Sequence, residues 1–243
     1  MTYIHPFFAT APRNTEDLLA KELRTFGAAE TKETPGGVHF SGSLETAYRA
    51  CLFSRIGGRI LVVISSFPAA SGDDLYAGAR EVPWEEHFSP ETTFSVSGVA
   101  SKSALTNSSY AALKIKDGIA DRFRDRFGRR PTVDTDHPGI RVSFAVRHDL
   151  ASVSIDLSGE SLYRRGYRKS QGEAPLKENV AAAMLDRLGW TMWTGSEPRI
   201  GSEPHSGSEP RIGSEPHSGS EPEALLVDPF CGSGTILIEG ALM

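Results

Sequence analysis

The stretch that decides the fold lies at residues 225–239 and reads Leu-Leu-Val-Asp-Pro-Phe-Cys-Gly-Ser-Gly-Thr-Ile-Leu-Ile-Glu. An apolar run stops at Asp228, a Gly-x-Gly turn follows at Gly232 and Gly234, and apolar residues resume at helical spacing. This order predicts a strand, a tight turn and the start of a helix, because glycine tolerates positive φ and lets a ligand approach the backbone. Thr235 is predicted to cap that helix, whose free N–H groups favour a carboxylate or phosphate.

A Gly-x-Gly turn alone fits a purely structural turn as well as a ligand-binding loop. The complete string from Asp228 to Thr235 is more specific. It resembles the first motif of class I S-adenosylmethionine-dependent methyltransferases, in the form found in enzymes that methylate exocyclic amino groups of nucleobases. The resemblance implies that the loop cradles the methionine end of the cofactor and that the acid faces its amino group. The implied cofactor-binding residues are Asp228, Pro229, Phe230, Gly232, Ser233, Gly234 and Thr235.

The composition is that of a globular protein, with 39% hydrophobic and 23% charged residues in a chain of 243. No apolar run reaches the roughly 18 residues that a membrane span needs, and no secretory signal is visible. The two cysteines, Cys51 and Cys231, lie far apart and are expected to be reduced. We therefore expect a cytoplasmic protein.

The net charge of −5 is unevenly distributed along the chain. Residues 102–170 carry 14 basic and 8 acidic side chains, whereas the regions on either side are acidic. A basic middle region suits an anionic partner such as RNA, because basic side chains displace counterions from phosphates. A solvated helix face explains the same excess, and charge alone favours that simpler reading.

Helix and strand patterns alternate along the chain and predict an α/β class, with an α+β N-terminal part. Strands are expected at 3–9, 30–41, 59–67, 93–100, 132–134, 140–147 and 153–157. Helices are expected after caps at Asn14 and Ser43, at 73–87 with a break near Pro83, at 107–127 and at 172–189. In the second helix Leu44, Ala47, Tyr48, Cys51 and Leu52 are predicted to face inward. Pro175 is predicted to lie in the first turn of the last of these helices.

Residues 195–222 contain the tetrapeptide Gly-Ser-Glu-Pro five times at a six-residue period. A packed repeat structure is not expected, because almost no large apolar residue is present and proline removes backbone donors. We interpret the repeat as a disordered, dispensable insertion. Its histidines, His205 and His217, are not expected to bind a metal, and no metal site is expected elsewhere.

Three further segments, within 7–23, 44–52 and 102–159, resemble bacterial 23S ribosomal RNA guanine-N2 methyltransferases that carry an N-terminal THUMP domain. A fourth, at 162–179, includes Arg-Arg-Gly-Tyr-Arg and Ala-Pro-Leu. The resemblance implies a ferredoxin-like plus THUMP module over 1–158. It also implies the truncated start of a Rossmann-like methyltransferase domain over 159–243, interrupted by 195–222. In this family the segment matching Ala174, Pro175 and Leu176 lies over the methionine end of the cofactor.

The same resemblance implies structured RNA, 23S rRNA or its precursor, as the partner of an otherwise monomeric protein. Candidate phosphate contacts combine the basic region with the Arg-Arg-Gly-Tyr-Arg stretch: Lys102, Lys114, Lys116, Arg164, Arg165 and Arg168. The arginines at 122, 124 and 126 rank lower, because they are expected to pair with the aspartates at 117, 121 and 125.

Three readings stay open. The chain is the N-terminal part of a guanine-N2 methyltransferase, a non-catalytic RNA-binding fragment, or part of an amino-methyltransferase that acts on another nucleic acid. The family's Asn-Pro-Pro-Tyr-type motif, which grips the target amine, is absent, since none of the three asparagines precedes a proline. No catalytic residue is therefore assigned, and the isolated chain is not expected to methylate RNA.

Overall fold

The computed structural model describes residues 3–168, 175–190, 226–228 and 232–243. The chain divides into two compact units, residues 1–164 and 165–243. No helix in the described part of the chain is long and apolar enough to cross a membrane. The repeat at 195–222, together with Ala174, Pro229 and Phe230, lies outside the described residues.

The first unit contains seven strands and four helices among its described residues. The strands are β1 (His5–Thr10), β2 (Glu30–Thr34), β3 (Gly37–Gly42), β4 (Arg59–Pro68), β5 (Phe94–Ser101), β6 (Ile140–Arg147) and β7 (Leu150–Asp156). The helices are α1 (Glu16–Thr25), α2 (Leu44–Phe53), α3 (Gly72–Glu81) and α4 (Ser108–Phe127), with a short 3-10 helix at Trp84–Glu86. The strands form one sheet in the order β2-β3-β1-β4-β7-β6-β5. Only the β5–β6 pair is parallel.

A single row of apolar residues crosses six strands of this sheet. The row follows the register of paired residues and reads Phe40, Phe7, Val62, Ile155, Val142 and Val96. Directly paired residues share one face of a sheet, so the row marks the face on which the core is built. The Phe7 and Phe40 rings stack with centroids 5.0 Å apart. One sheet face thus runs without interruption through both halves of the unit.

The core beside β5, β6 and β7 is formed by the apolar faces of α3 and α4. Its buried helix residues include Leu75, Ile115 and Phe123. Trp84 is fully buried, and its indole N–H donates to the carbonyl of Ala79 at 2.7 Å. The predicted break near Pro83 is confirmed, because α3 ends at Glu81 and the 3-10 helix follows.

The helix starts only partly follow the predictions. Ser43 caps α2 as predicted, accepting from the backbone N–H three residues ahead. Asn107, predicted only as the first residue of a helix, caps α4 in the same way. The predicted cap at Asn14 is wrong. Asn14 has φ 65, Thr15 occupies the N-cap position, and no side chain caps α1. The strand expected at 132–134 is reduced to one bridge between Phe94 and Val133.

The predicted inward face of α2 is only partly correct. Ala47 is buried and Cys51 is half-buried as predicted, but Leu44, Tyr48 and Leu52 are exposed, and Thr46 and Ala50 are buried instead. Small residues let the helix approach the sheet closely, since a Cβ added at Gly42 would lie 3.1 Å from Thr46. The exposed residues recur every four positions and form a regular apolar stripe, so spacing alone does not reveal which face packs.

The described part of the second unit contains α5 (Glu178–Arg187) and α6 (Thr235–Leu242), which pack against each other. Leu185 is fully buried, and the indole N–H of Trp190 donates to the carbonyl of Gly240 at 3.0 Å. A Cβ at Gly240 would lie 2.6 Å from Leu226, which explains a glycine in the interior of α6. Pro175 lies before α5 and not in its first turn, because the helix begins only at Glu178.

Candidate functional site

The glycine loop has the geometry that its sequence predicts. Gly232 has φ 50 and Gly234 has φ 74, both in the left-handed region that favours glycine. Gly234 is the N-cap residue of α6 and provides no side-chain acceptor for the first-turn N–H groups. Among the residues that the structure describes, a Cβ added at Gly234 would meet Ile238 alone, at 4.0 Å. The backbone here can therefore approach a ligand, and the helix start can accept a negatively charged group.

Thr235 does not cap α6 as predicted, because Gly234 already turns the chain into the helix and Thr235 is the first helical residue. Its side chain is buried and lies 3.1 Å from the Ser233 hydroxyl. It also accepts a 2.9 Å hydrogen bond from Arg168. The hydroxyl thus ties the end of the loop to another part of the second unit.

The other described residues predicted to bind the cofactor lie on two segments of the same unit. Asp228 is half-buried at the end of the short described piece 226–228. Pro175 is exposed, and Leu176 is half-buried with its carbonyl accepting from Arg168. Their roles toward a cofactor stay predictions.

The Arg-Arg-Gly-Tyr-Arg stretch supplies the interior contacts of the second unit. Glu239 on α6 is fully buried and lies 2.6 Å from the Arg165 guanidinium. The Tyr167 hydroxyl donates to the same carboxylate at 3.0 Å. Burial, and then this hydrogen bond, raises the pKa of Tyr167 to about 12. Sequence reasoning missed Glu239, although an acid within an apolar helix run is a visible signal.

Arg168 is the second anchor of this stretch. Its side chain is only 12% exposed and pairs with Glu178, the first residue of α5, at 3.0 Å. With Arg165 also mostly buried, this placement favours a structural role for both arginines over the phosphate contacts predicted for them. Arg164, the last residue of the first unit, differs in being exposed, with Glu160 as a loose partner at 3.7 Å.

The predicted cations on α4 are ion-paired. Lys114 contacts Asp73 of α3 at 2.9 Å and lies over the Tyr110 ring. Lys116 contacts its neighbour Asp117 at 2.8 Å. Both pairs have an exposed partner, and such pairs are weak enough to release a lysine to a phosphate.

The three α4 arginines are paired as well, but two of them choose partners that sequence spacing did not indicate. Arg124 pairs with Asp121, as predicted. Arg122 and Arg126 instead share Glu85 from the 3-10 helix, because α4 lies beside the end of α3. Arg122 and Arg126 therefore link α4 to the 3-10 helix.

Lys102 lies at a different place, a corner where β5 and the β6–β7 hairpin meet. Lys102 and His148 both have positive φ, and the His148 N–H donates to the Lys102 carbonyl at 2.9 Å. Asp149 fixes the corner by accepting from the Ser103 hydroxyl at 2.7 Å and from the Ala104 N–H at 3.0 Å. The structure thus holds a strained backbone in place with its side chains exposed.

Arg147 joins Lys102 and His148 at this corner, since it pairs in register with Ser101 at the ends of the parallel strands. It is exposed, and neither it nor Lys102 has a carboxylate within 4 Å among the residues that the structure describes. The positive charge of Arg147 also acts on His39 of β3, whose pKa is lowered first by burial and then by the cations of Lys32 and Arg147. We name Lys102, Arg147 and His148 the corner cluster. Sequence reasoning found only Lys102 in it.

Comparison with family models accounts for most of the described chain. Residues 6–61 match the RlmL ferredoxin-like domain, and residues 69–156 match the THUMP domain. Residues 216–243 match the RMKL-like methyltransferase domain. The two N-terminal matches lie within the first unit, and the third contains the glycine loop.

Curated relatives match along almost the full chain. The chain is 46% identical over 98% of its length to a ribosomal RNA large subunit methyltransferase K/L from Syntrophotalea carbinolica. It is 44% identical over 98% of its length to the protein of the same name from Allochromatium vinosum. The chain spans only about 30% of the length of these relatives.

Solved structures support the same relationship. The chain is 29% identical to a Listeria monocytogenes protein described as an N6-adenine-specific DNA methylase, with a TM-score of 0.74. It is 30% identical to a methyltransferase solved in complex with SAH, with a TM-score of 0.73. The matches cover 99% and 100% of this chain, and 55% and 56% of those chains. The chain thus carries, in order, a match to the RlmL ferredoxin-like domain, a match to the THUMP domain and a match to the RMKL-like methyltransferase domain.

Proposed function

We propose that the chain supplies the RNA-binding module and the cofactor loop of an enzyme that methylates 23S ribosomal RNA. The reaction would transfer a methyl group from S-adenosylmethionine to the exocyclic N2 of a guanine. The observation that carries the proposal is the presence of a THUMP domain and a Gly-x-Gly helix start in one chain that is 46% identical to a large-subunit rRNA methyltransferase. We further propose that the protein is cytoplasmic and monomeric and binds no metal.

The residues present suit the cofactor. S-adenosylmethionine, when bound, supplies the electrophilic methyl group. Gly232 and Gly234 offer backbone without Cβ atoms, and the uncapped start of α6 can accept the carboxylate of its methionine end. Asp228, at the end of the apolar run, would accept from its amino group. Ser233 and Thr235 complete the loop, and the family resemblance adds Ala174, Pro175, Leu176, Pro229 and Phe230.

The target imposes a second requirement. The lone pair of an exocyclic guanine amine is delocalised into the ring, so the amine is a poor nucleophile. An enzyme must hold it in line with the methyl group and place hydrogen-bond acceptors where positive charge develops. We assign none of those acceptors to this chain, whose part would be to hold cofactor and RNA.

For the RNA surface we propose the corner cluster, with Lys114, Lys116 and Arg164 as weaker contributors. Lys102 and Arg147 are exposed without an acidic partner among the described residues, so a phosphate would not have to displace one. The rigid corner holds these cations at fixed positions, which suits recognition of structured RNA by shape and phosphate contacts.

The activity is tested with the protein expressed from its complete reading frame. We expect tritium transfer from labelled S-adenosylmethionine to 23S rRNA transcripts, and nucleoside mass spectrometry should identify N2-methylguanosine. Methylation of DNA adenine, with no RNA product, would contradict the proposal and support the activity named for the Listeria relative. RNA binding without any transfer would leave only the binding module.

The RNA surface is tested by titrating salt during RNA binding. Lys102→Ala and Arg147→Ala should each weaken binding and flatten the log–log salt slope by about 0.7–0.9 per lost phosphate contact. Lys114→Ala should have a smaller effect because its lysine is shared with Asp73. Arg49→Ala is the matched control, since Arg49 is equally exposed but paired within α2. Unchanged slopes in both corner variants would remove the corner cluster from the RNA surface.

A further inference from the structure

Two sequence motifs of the second unit interlock, although 66 residues separate Arg168 from Gly234 in the printed sequence. The first is the stretch 165–168, which we name the strap. The second is the glycine loop with α6. Arg168 contacts three acceptors on two segments: the Leu176 carbonyl and the Glu178 carboxylate, at 3.0 Å, where α5 begins, and the Thr235 hydroxyl, at 2.9 Å, where α6 begins.

The strap has a second attachment point one turn farther along α6. Arg165 lies 2.6 Å from one oxygen of Glu239, and the Tyr167 hydroxyl donates to the other at 3.0 Å. Glu239 is fully buried, so its charge depends on these partners. The strap therefore holds α6 at two places, at its first residue and at a residue one turn farther on.

We infer that Arg168 is a positioning residue that holds the glycine loop in its cofactor-binding conformation. A loop built on Gly232 and Gly234 loses much conformational entropy when it is ordered. Fixing Thr235, the residue directly after the loop, reduces the ordering left for the cofactor to impose, and preorganisation of this kind strengthens binding. The inference rests on the proposed function and assigns the strap to the cofactor and not to the RNA.

The chemistry of the site requires arginine. The guanidinium is planar and carries five N–H donors. At Arg168, Nη2 donates to the Leu176 carbonyl and the Thr235 hydroxyl, and Nε lies 3.0 Å from the Glu178 carboxylate. A lysine ammonium is a compact donor on a flexible stem and does not reproduce this fork. Arg168→Lys keeps the charge and removes the geometry, so it separates positioning from simple electrostatics.

The test uses the protein with its complete reading frame and S-adenosylhomocysteine as the probe. Calorimetry should show that Arg168→Lys weakens binding of the probe by about tenfold or more, the usual effect of losing a hydrogen bond to a charged group. RNA affinity, measured by filter binding, should stay within about twofold. Arg49→Lys is the matched control, since Arg49 is exposed on α2 and has no role in the proposed sites, and both affinities should stay unchanged.

Thr235→Val provides a second test in case Arg168→Lys does not fold. It removes only the hydroxyl that Arg168 contacts and should weaken probe binding by about threefold to tenfold. Unchanged probe binding in folded Arg168→Lys or in Thr235→Val overturns the inference, as does an equal loss of RNA affinity. A wild-type protein that fails to bind the probe overturns the proposed cofactor as well, so the two failures are distinguishable.

Discussion

Glu85 is the residue at which a single charge should contribute most to the stability of the first unit. Its carboxylate receives two hydrogen bonds from Arg122, at 2.7 and 2.8 Å, and pairs with Arg126. Arg122 also donates to the carbonyls of Arg80 and Glu81, at 2.8 and 3.1 Å, where α3 ends. The ion pair therefore joins α3, the 3-10 helix and α4.

The size of the effect follows from the pKa. The hydrogen bonds from Arg122, against an opposing effect of burial, lower the pKa of Glu85 from 4.5 to about 2. A difference of this size corresponds to about 3 kcal/mol at pH 7. Because Arg126 is more than half exposed and water screens it, we expect about 2–3 kcal/mol.

The sign of the pH dependence is set by a lowered pKa. The contribution is complete above pH 4.5 and is lost as the pH falls toward 2, and more than about half is lost by pH 3. Glu85→Gln should thus lower the free energy of unfolding by about 2–3 kcal/mol at pH 7 and by clearly less at pH 3. Urea unfolding followed by circular dichroism at pH 7, 4 and 3 measures this difference.

The matched control is Glu91→Gln, which removes a carboxylate from an exposed pair with Arg129. Because this pair is exposed to water, the substitution should lower stability by clearly less than Glu85→Gln at pH 7. If Glu85→Gln costs the same free energy at pH 3 as at pH 7, the loss comes from shape or packing, and the reasoning from the ion pair is refuted.

Two substitutions test the packing of the same unit by urea unfolding. Trp84→Phe should cost about 2–3 kcal/mol, because it leaves a cavity and deprives the buried Ala79 carbonyl of its donor; a loss below about 0.5 kcal/mol would contradict that account. Gly98→Ala should cost about 2 kcal/mol or more, since the new Cβ would lie 2.0 Å from the Phe144 carbonyl oxygen and force β5 from β6. Val99→Ala, at an exposed position on the same strand, should be nearly neutral.

Much of the fold could be predicted because local patterns and tertiary packing agree. The alternation along β5 and β6 and the apolar spacing in α4 gave elements close to those observed. The cap at Ser43 could be predicted because its acceptor and donor lie three residues apart. The order of the strands in the sheet could not be predicted, because the row from Phe40 to Val96 pairs residues that are distant in sequence.

The errors share one physical origin, which is that a side chain's partner lies on another element. Leu44, Tyr48 and Leu52 form a regular apolar stripe, yet they are exposed. Instead, α2 packs through the smaller residues Thr46, Ala47 and Ala50. Arg122 has aspartates nearby on its own helix, yet Glu85 is better placed because two elements cross there. The sequence identifies the donor and its charge, but it does not show which acceptor on another helix or strand lies beside that donor.

The strap shows how this limit affects a functional interpretation. Two arginines separated only by a glycine and a tyrosine, beside a basic region, read most simply as phosphate contacts. The structure instead places a buried acid opposite each of them: Glu239 for Arg165 and Glu178 for Arg168. Both acids are present in the sequence. Because each lies among apolar residues of a helix, its burial, and therefore its availability to pair with an arginine, cannot be told from the sequence. A cluster of basic side chains is therefore a candidate RNA surface only where no buried carboxylate faces it. Within the described residues, the corner cluster meets this condition and the strap does not.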